Sequence, residues 1–104
     1  MTAIADALRE HSRTALRVLD RVLEESPERM TGELPEAVRA LVRLRDRLIE
    51  LRRADRGSRD LQERLERTNA ILSVVTGGEY PLVGVRRQRI VEARDALRQL
   101  ADNP

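Results

Sequence analysis

The chain has 104 residues, 40% hydrophobic and 37% charged, with a net charge of +2, a single aromatic residue and no cysteine. That length holds one domain with one core. The lack of cysteine excludes a disulfide framework and thiolate metal sites, and no apolar run approaches the ~18 residues of a membrane-spanning helix.

The charged share exceeds the usual ~25% of globular domains. Helices with a narrow apolar stripe have this composition, and the regular apolar spacing argues against disorder. All 20 basic residues are arginine. A GC-rich bacterial genome produces that bias by itself; the sharper reading is selection for guanidinium forks, which grip carboxylate and phosphate at two points. The pI near 10.3 reflects only a slight arginine excess, because arginine does not titrate until far above neutral pH. Residues 1–6 lack the plan of a secretory signal, so the expected compartment is cytoplasmic.

The first helix is expected over about residues 3–25. Thr2 can cap it, with Asp6 in its first turn. Ile4, Leu8, Ala15, Val18 and Val22 recur at helical spacing, and Leu19 and Leu23 widen the stripe. Pro27, Gly32 and Pro35 make 26–35 a loop. The second helix is expected over about 35–55, with Pro35 at its first position. Leu34, Ala37, Leu41, Leu44, Leu48 and Leu51 form its seam at coiled-coil spacing. Val38, Val42 and Ile49 broaden that seam into a bundle face.

The polar stretch Arg52 to Asp60 has two readings: the helix runs on, or the chain turns back. The charges favour the turn. Arg52, Arg53 and Arg56 suit a helix C-terminus, Gly57 suits a left-handed closing residue, and Asp60 with Glu63 suits a capping box. The third helix, about 60–76, carries Leu61, Leu65, Thr68, Leu72 and Val75, with Ile71 and Val74 alongside. Gly77 and Gly78 stop it, and Pro81 restarts the chain after Tyr80. The fourth helix, about 82–101, carries Val83, Arg86, Ile90, Ala93, Leu97 and Leu100. Ala93 and Ala96 are small enough for close helix approach. The fold class is therefore all-α: three to four antiparallel helices in hairpins, one domain over residues 1–104. The second helix is expected to leave part of its ridge uncovered, so that copies of the chain close it and form a homo-oligomer.

Catalytic chemistry has little to stand on. His11 is the one histidine and falls on the apolar seam between Leu8 and Ala15, where a helix-boundary or interface role outweighs general-base work. One histidine without cysteine supplies too few ligands for a metal. Gly77 and Gly78 lack the pattern of a phosphate loop. No enzyme, cofactor, metal or small-molecule substrate is expected.

Binding chemistry has more. Arg39, Arg43 and Arg47 stack at four-residue spacing, and Arg86, Arg87 and Arg89 crowd the start of the last helix. Facing one side together, they would make a stripe for phosphates; the alternative is a solvated face laced with ion pairs. With one Tyr and no Phe or Trp, contact with nucleic acid would run through the backbone of duplex DNA rather than through stacked bases. Asn69 and Ser73 lie near the seam, where a polar residue sets register, or else point to solvent. Leu41, Leu44, Leu48, Leu51, Tyr80 and Leu82 are the candidate protein-interface residues. Tyr80 serves equally as a packed plug or as an anchor for a partner.

The run from Arg67 to Leu97, which includes Gly77, Gly78, Tyr80, Pro81 and Arg86 to Arg89, resembles short small-terminase subunits encoded beside DNA-packaging genes in phages and gene transfer agents of alphaproteobacteria. The resemblance covers about a third of the chain and includes no catalytic motif. It implies a helical oligomer that presents DNA to a larger motor subunit. The chain departs from the usual pattern in lacking an N-terminal helix-turn-helix, which puts sequence-specific reading of DNA in doubt. The length and hairpin plan are also similar to flagellar and type III export chaperones, which implies capture of a partner's amphipathic helix in an apolar groove. The acidic balance of many such chaperones is absent here.

Overall fold

The computed structural model describes residues 2–24, 34–77 and 83–102. Of the loop expected at 26–35, residues 26–33 lie outside the described residues, while Leu34 and Pro35 already belong to a helix; Gly78, Tyr80, Pro81 and Leu82 and the side chains of residues 2–7 also lie outside.

Among the described residues four helices form: α1 (Thr2–Glu24), α2 (Leu34–Ala54), α3 (Arg59–Thr76) and α4 (Gly84–Asp102). Each keeps one apolar face. Leu8, Ala15, Val18, Leu19, Val22 and Leu23 of α1 are buried against Leu34, Ala37, Ala40, Leu41, Leu44 and Leu48 of α2 and their counterparts on α3 and α4. Alanine occupies several of the tightest positions; Ala15 and Ala37 are fully buried. A methyl side chain there lets adjacent helices approach closely while still filling the space between them.

The helices pack as a ring. The close backbone approaches join α1 to α2, α2 to α3, α3 to α4 and α4 to α1, and neither diagonal pair comes as near among the described residues. The polarity follows from the ends that meet. Arg21 near the end of α1 reaches Glu36 near the start of α2, at 3.9 Å. Arg87, near the start of α4, donates to the Leu23 carbonyl at the end of α1 at 3.0 Å. A four-residue turn joins α2 to α3. The result is an up-down-up-down bundle, 45 × 21 × 19 Å.

The turn after α2 is real, but its chemistry differs from the expectation. Gly57 is not left-handed. Ser58 caps α3 instead: its backbone is extended (φ −76°, ψ 111°) and its hydroxyl accepts the Leu61 N–H at 3.2 Å. Asp60 is already inside the helix and pairs with Arg64 at 2.9 Å, so it cannot serve as the cap. The left-handed glycine is Gly84, at the start of α4, with φ +58°. Gly77, after α3, keeps right-handed geometry at φ −83° and donates to the Ser73 carbonyl at 3.1 Å.

The larger correction concerns the leucine ridge of α2. Leu41, Leu44 and Leu48 are 0%, 3% and 2% exposed within a single copy, and Leu51 is half-buried against the same core. Four helices supply enough apolar faces to close the ring, so α1 and α3 cover the ridge that was expected to await another chain. Truncating Leu41 would cost about 2–5 kcal/mol, the usual range for a buried leucine reduced to alanine.

Candidate macromolecule-binding surfaces

With the leucines inside, the outer faces carry the arginines. α2 holds six arginines against three carboxylates. Two of those carboxylates are already engaged: Asp46 by Arg45 at 3.2 Å and Glu50 by Arg47 at 2.8 Å. The third, Glu36, turns toward Arg21 of α1. Arg39 and Arg43 therefore stand exposed on the outer face with no carboxylate in ion-pair reach among the described residues. Arg47, expected to extend their row, is committed to Glu50.

A separate group of arginines gathers at the end of α2. Arg52, Arg53 and Arg56 are exposed and likewise without an ion pair among the described residues. With Ile49 and Leu65 they line an open depression of about 530 Å³ at the α2–α3 turn. Arg52 and Arg53 lie in the last turn of α2, where cations meet the partial negative charge of the unpaired carbonyls. That placement explains their stability locally and still leaves most donors of each fork pointing to solvent.

The second predicted cluster divides. Arg87 is half-buried and donates from Nη2 to the Leu23 carbonyl at 3.0 Å. It satisfies one of the carbonyls that the end of α1 leaves open. Arg86 and Arg89 are exposed and lack an ion pair among the described residues. They border a groove of about 160 Å³ with Ser73, Val74, Gly77 and Val85. Because α2 and α4 occupy diagonal corners of the bundle, Arg39 and Arg43 do not join Arg86 and Arg89 in a single stripe. The two predicted clusters are therefore separate surfaces.

Other expected positions resolve simply. Asn69 and Ser73 are exposed, so neither sets register in the core. Among the described residues the buried polar side chains are Ser12 (3% exposed) and Thr68 (0%). Their hydroxyls donate to the carbonyls of Leu8 and Arg64, each at 2.8 Å. Thr68 was legible only as a seam position, and Ser12 was missed because a serine on an apolar stripe gives no periodic signal. Both line a pocket of about 10 Å³ with Leu8, Leu44, Leu48, Arg64 and Leu100, room for about one water. His11 is half-buried on α1. Among the described residues no three His, Cys, Asp or Glu side chains cluster as metal ligands, and no helix is long and apolar enough to cross a membrane. Tyr80 and Leu82 fall outside the described residues.

Comparison with known protein families, with characterised proteins and with solved structures returns no match for this chain.

Proposed function

We propose that the chain is a non-catalytic adaptor that holds duplex DNA by its phosphates, the role implied by the small-terminase resemblance, with a larger motor subunit as its second partner. One observation carries this reading: Arg39 and Arg43 on the outer face of α2, and Arg52, Arg53 and Arg56 at its end, have no carboxylate paired to any of them among the described residues. Guanidinium forks so placed match phosphate oxygens. Contact of this kind is indifferent to base sequence and steep in salt. The export-chaperone reading needs an open apolar groove, and the burial of Leu41, Leu44 and Leu48 leaves it less to work with. Homo-oligomerisation stays part of the proposal, although Leu41, Leu44 and Leu48, buried within a single copy, are not free to carry it.

Retardation of a short duplex in a native gel, repeated across a salt series, tests the reading. The expected result is retardation at low salt that fades as salt rises. Arg39→Glu with Arg43→Glu should weaken binding alike for unrelated duplexes. It should also flatten the log–log salt slope by about 2, one unit for each arginine that no longer neutralises a phosphate. A chain that leaves duplex DNA unshifted at low salt, or a charge-reversed variant that binds as well as the parent, removes the proposal. Light scattering on the same samples reads the oligomeric state.

A further inference from the structure

The corner at the start of α4 differs in kind from the α2 surface. Among the described residues, Val83 (44%) and Val85 (72%) are the exposed large hydrophobic side chains. Val85 lines the groove between α3 and α4 with Val74, and Arg86 and Arg89 stand at its border. The first turn of α4 carries no acidic residue, so its arginines add to the positive partial charge of a helix N-terminus. Among the described residues neither Arg86 nor Arg89 has an ion-pair partner.

We infer that this groove docks an acidic, amphipathic segment of another protein, with its apolar side chains on Val74 and Val85 and its carboxylates on Arg86 and Arg89. Charge complementarity selects the carboxylates. The exposed valines select a protein segment over nucleic acid, because a phosphate backbone has no apolar surface to cover them, whereas apolar contact rimmed by ion pairs is the anatomy of a protein interface. The exposed arginines Arg39 and Arg43 lie on the diagonally opposite helix. A DNA duplex on α2 and a protein segment on α4 therefore do not compete for space. The inference concerns a second partner and does not depend on whether α2 binds DNA.

The test uses a synthetic amphipathic helix of about 18 residues with leucines at helical spacing flanked by glutamates, and a twin with glutamine in place of glutamate. Each is titrated into the isotope-labelled full chain while backbone amide shifts are followed. The expected result is a set of shifts confined to Ser73, Val74, Gly77, Val85, Arg86 and Arg89, with affinity at least about tenfold weaker for the glutamine twin. Val85→Asp, and separately Arg86→Glu with Arg89→Glu, should each weaken binding by a similar factor. Arg39→Glu with Arg43→Glu should leave it unchanged, which separates this outcome from failure of the DNA reading. Val85 is mostly exposed, so its substitution spares the core, and the double variant is an independent check. No binding at low salt overturns the inference. So do equal affinities for the two peptides, or shifts centred on α2. If concentrating the chain alone moves the same amides as its mass doubles, the groove belongs to a second copy. If duplex DNA shifts them and Val85→Asp abolishes that, it belongs to nucleic acid. Either result rejects the acidic segment.

Discussion

The Arg87 guanidinium donates to the backbone carbonyl of Leu23 at 3.0 Å, across 64 positions of sequence. The bond joins the end of α1 to the start of α4, the pair of helices that no short turn connects. Asp20, beside it, faces Arg94 and Arg98 at 3.6 Å. Together these interactions fasten the one seam of the ring that lacks a direct loop. A hydrogen bond from a charged donor contributes about 1.5–3 kcal/mol when buried, and less at a half-buried site. Arg87→Met, which keeps the apolar stem, should lower unfolding free energy by about 1 kcal/mol in urea melts. It should leave DNA retardation as it was. Weaker DNA binding at unchanged stability would mean that Arg87 faces a ligand rather than Leu23.

Gly57 and Gly84 should respond in opposite directions to alanine. Gly84 has φ +58° and open space where a Cβ would stand, so the cost of Gly84→Ala is backbone strain alone, about 1 kcal/mol. Gly57 also has open space but no positive φ. Gly57→Ala should be neutral or stabilising by about 0.4–1 kcal/mol, through reduced freedom of the unfolded chain. Thermal melts of the two variants check the contrast, and a larger loss at position 57 than at 84 would contradict the turn geometry.

Ser58 holds the α2–α3 turn through its bond to the Leu61 N–H. Ser58→Ala should destabilise the fold by about 1 kcal/mol, and Ser58→Asp should retain most of the cap. An alanine variant as stable as the parent would show that the cap contributes nothing and that packing alone turns the chain.

Ser12 and Thr68 place two hydroxyls in the core, each donating to the carbonyl one turn before it. Such back-bonding slightly bends and weakens a helix. Ser12→Ala combined with Thr68→Val should therefore be neutral or stabilising by up to about 1 kcal/mol. A destabilisation above that, measured by chemical denaturation, would indicate that the hydroxyls serve a bound water or a specific register.

Much of the fold was legible in local chemistry. The spacing of Leu8, Ala15, Val18 and Val22, or of Leu65, Thr68, Leu72 and Val75, places those residues on one face because an α-helix repeats every ~3.6 residues whatever surrounds it. The arginines before Gly57 signalled the turn for the same reason: helix ends carry partial charges that side chains answer within one turn. Sequence alone thus determined four amphipathic segments, their approximate bounds and a surface rich in guanidinium groups. It did not determine which faces meet. Only tertiary packing decided that Leu41, Leu44 and Leu48 are covered by their own chain, that Arg47 answers Glu50 and Arg87 answers Leu23, and that α2 and α4 stand at diagonal corners with their exposed arginines apart. Helical periodicity fixes a residue's direction relative to its own axis, whereas closure of a ring depends on the number and order of axes, and that information is nonlocal.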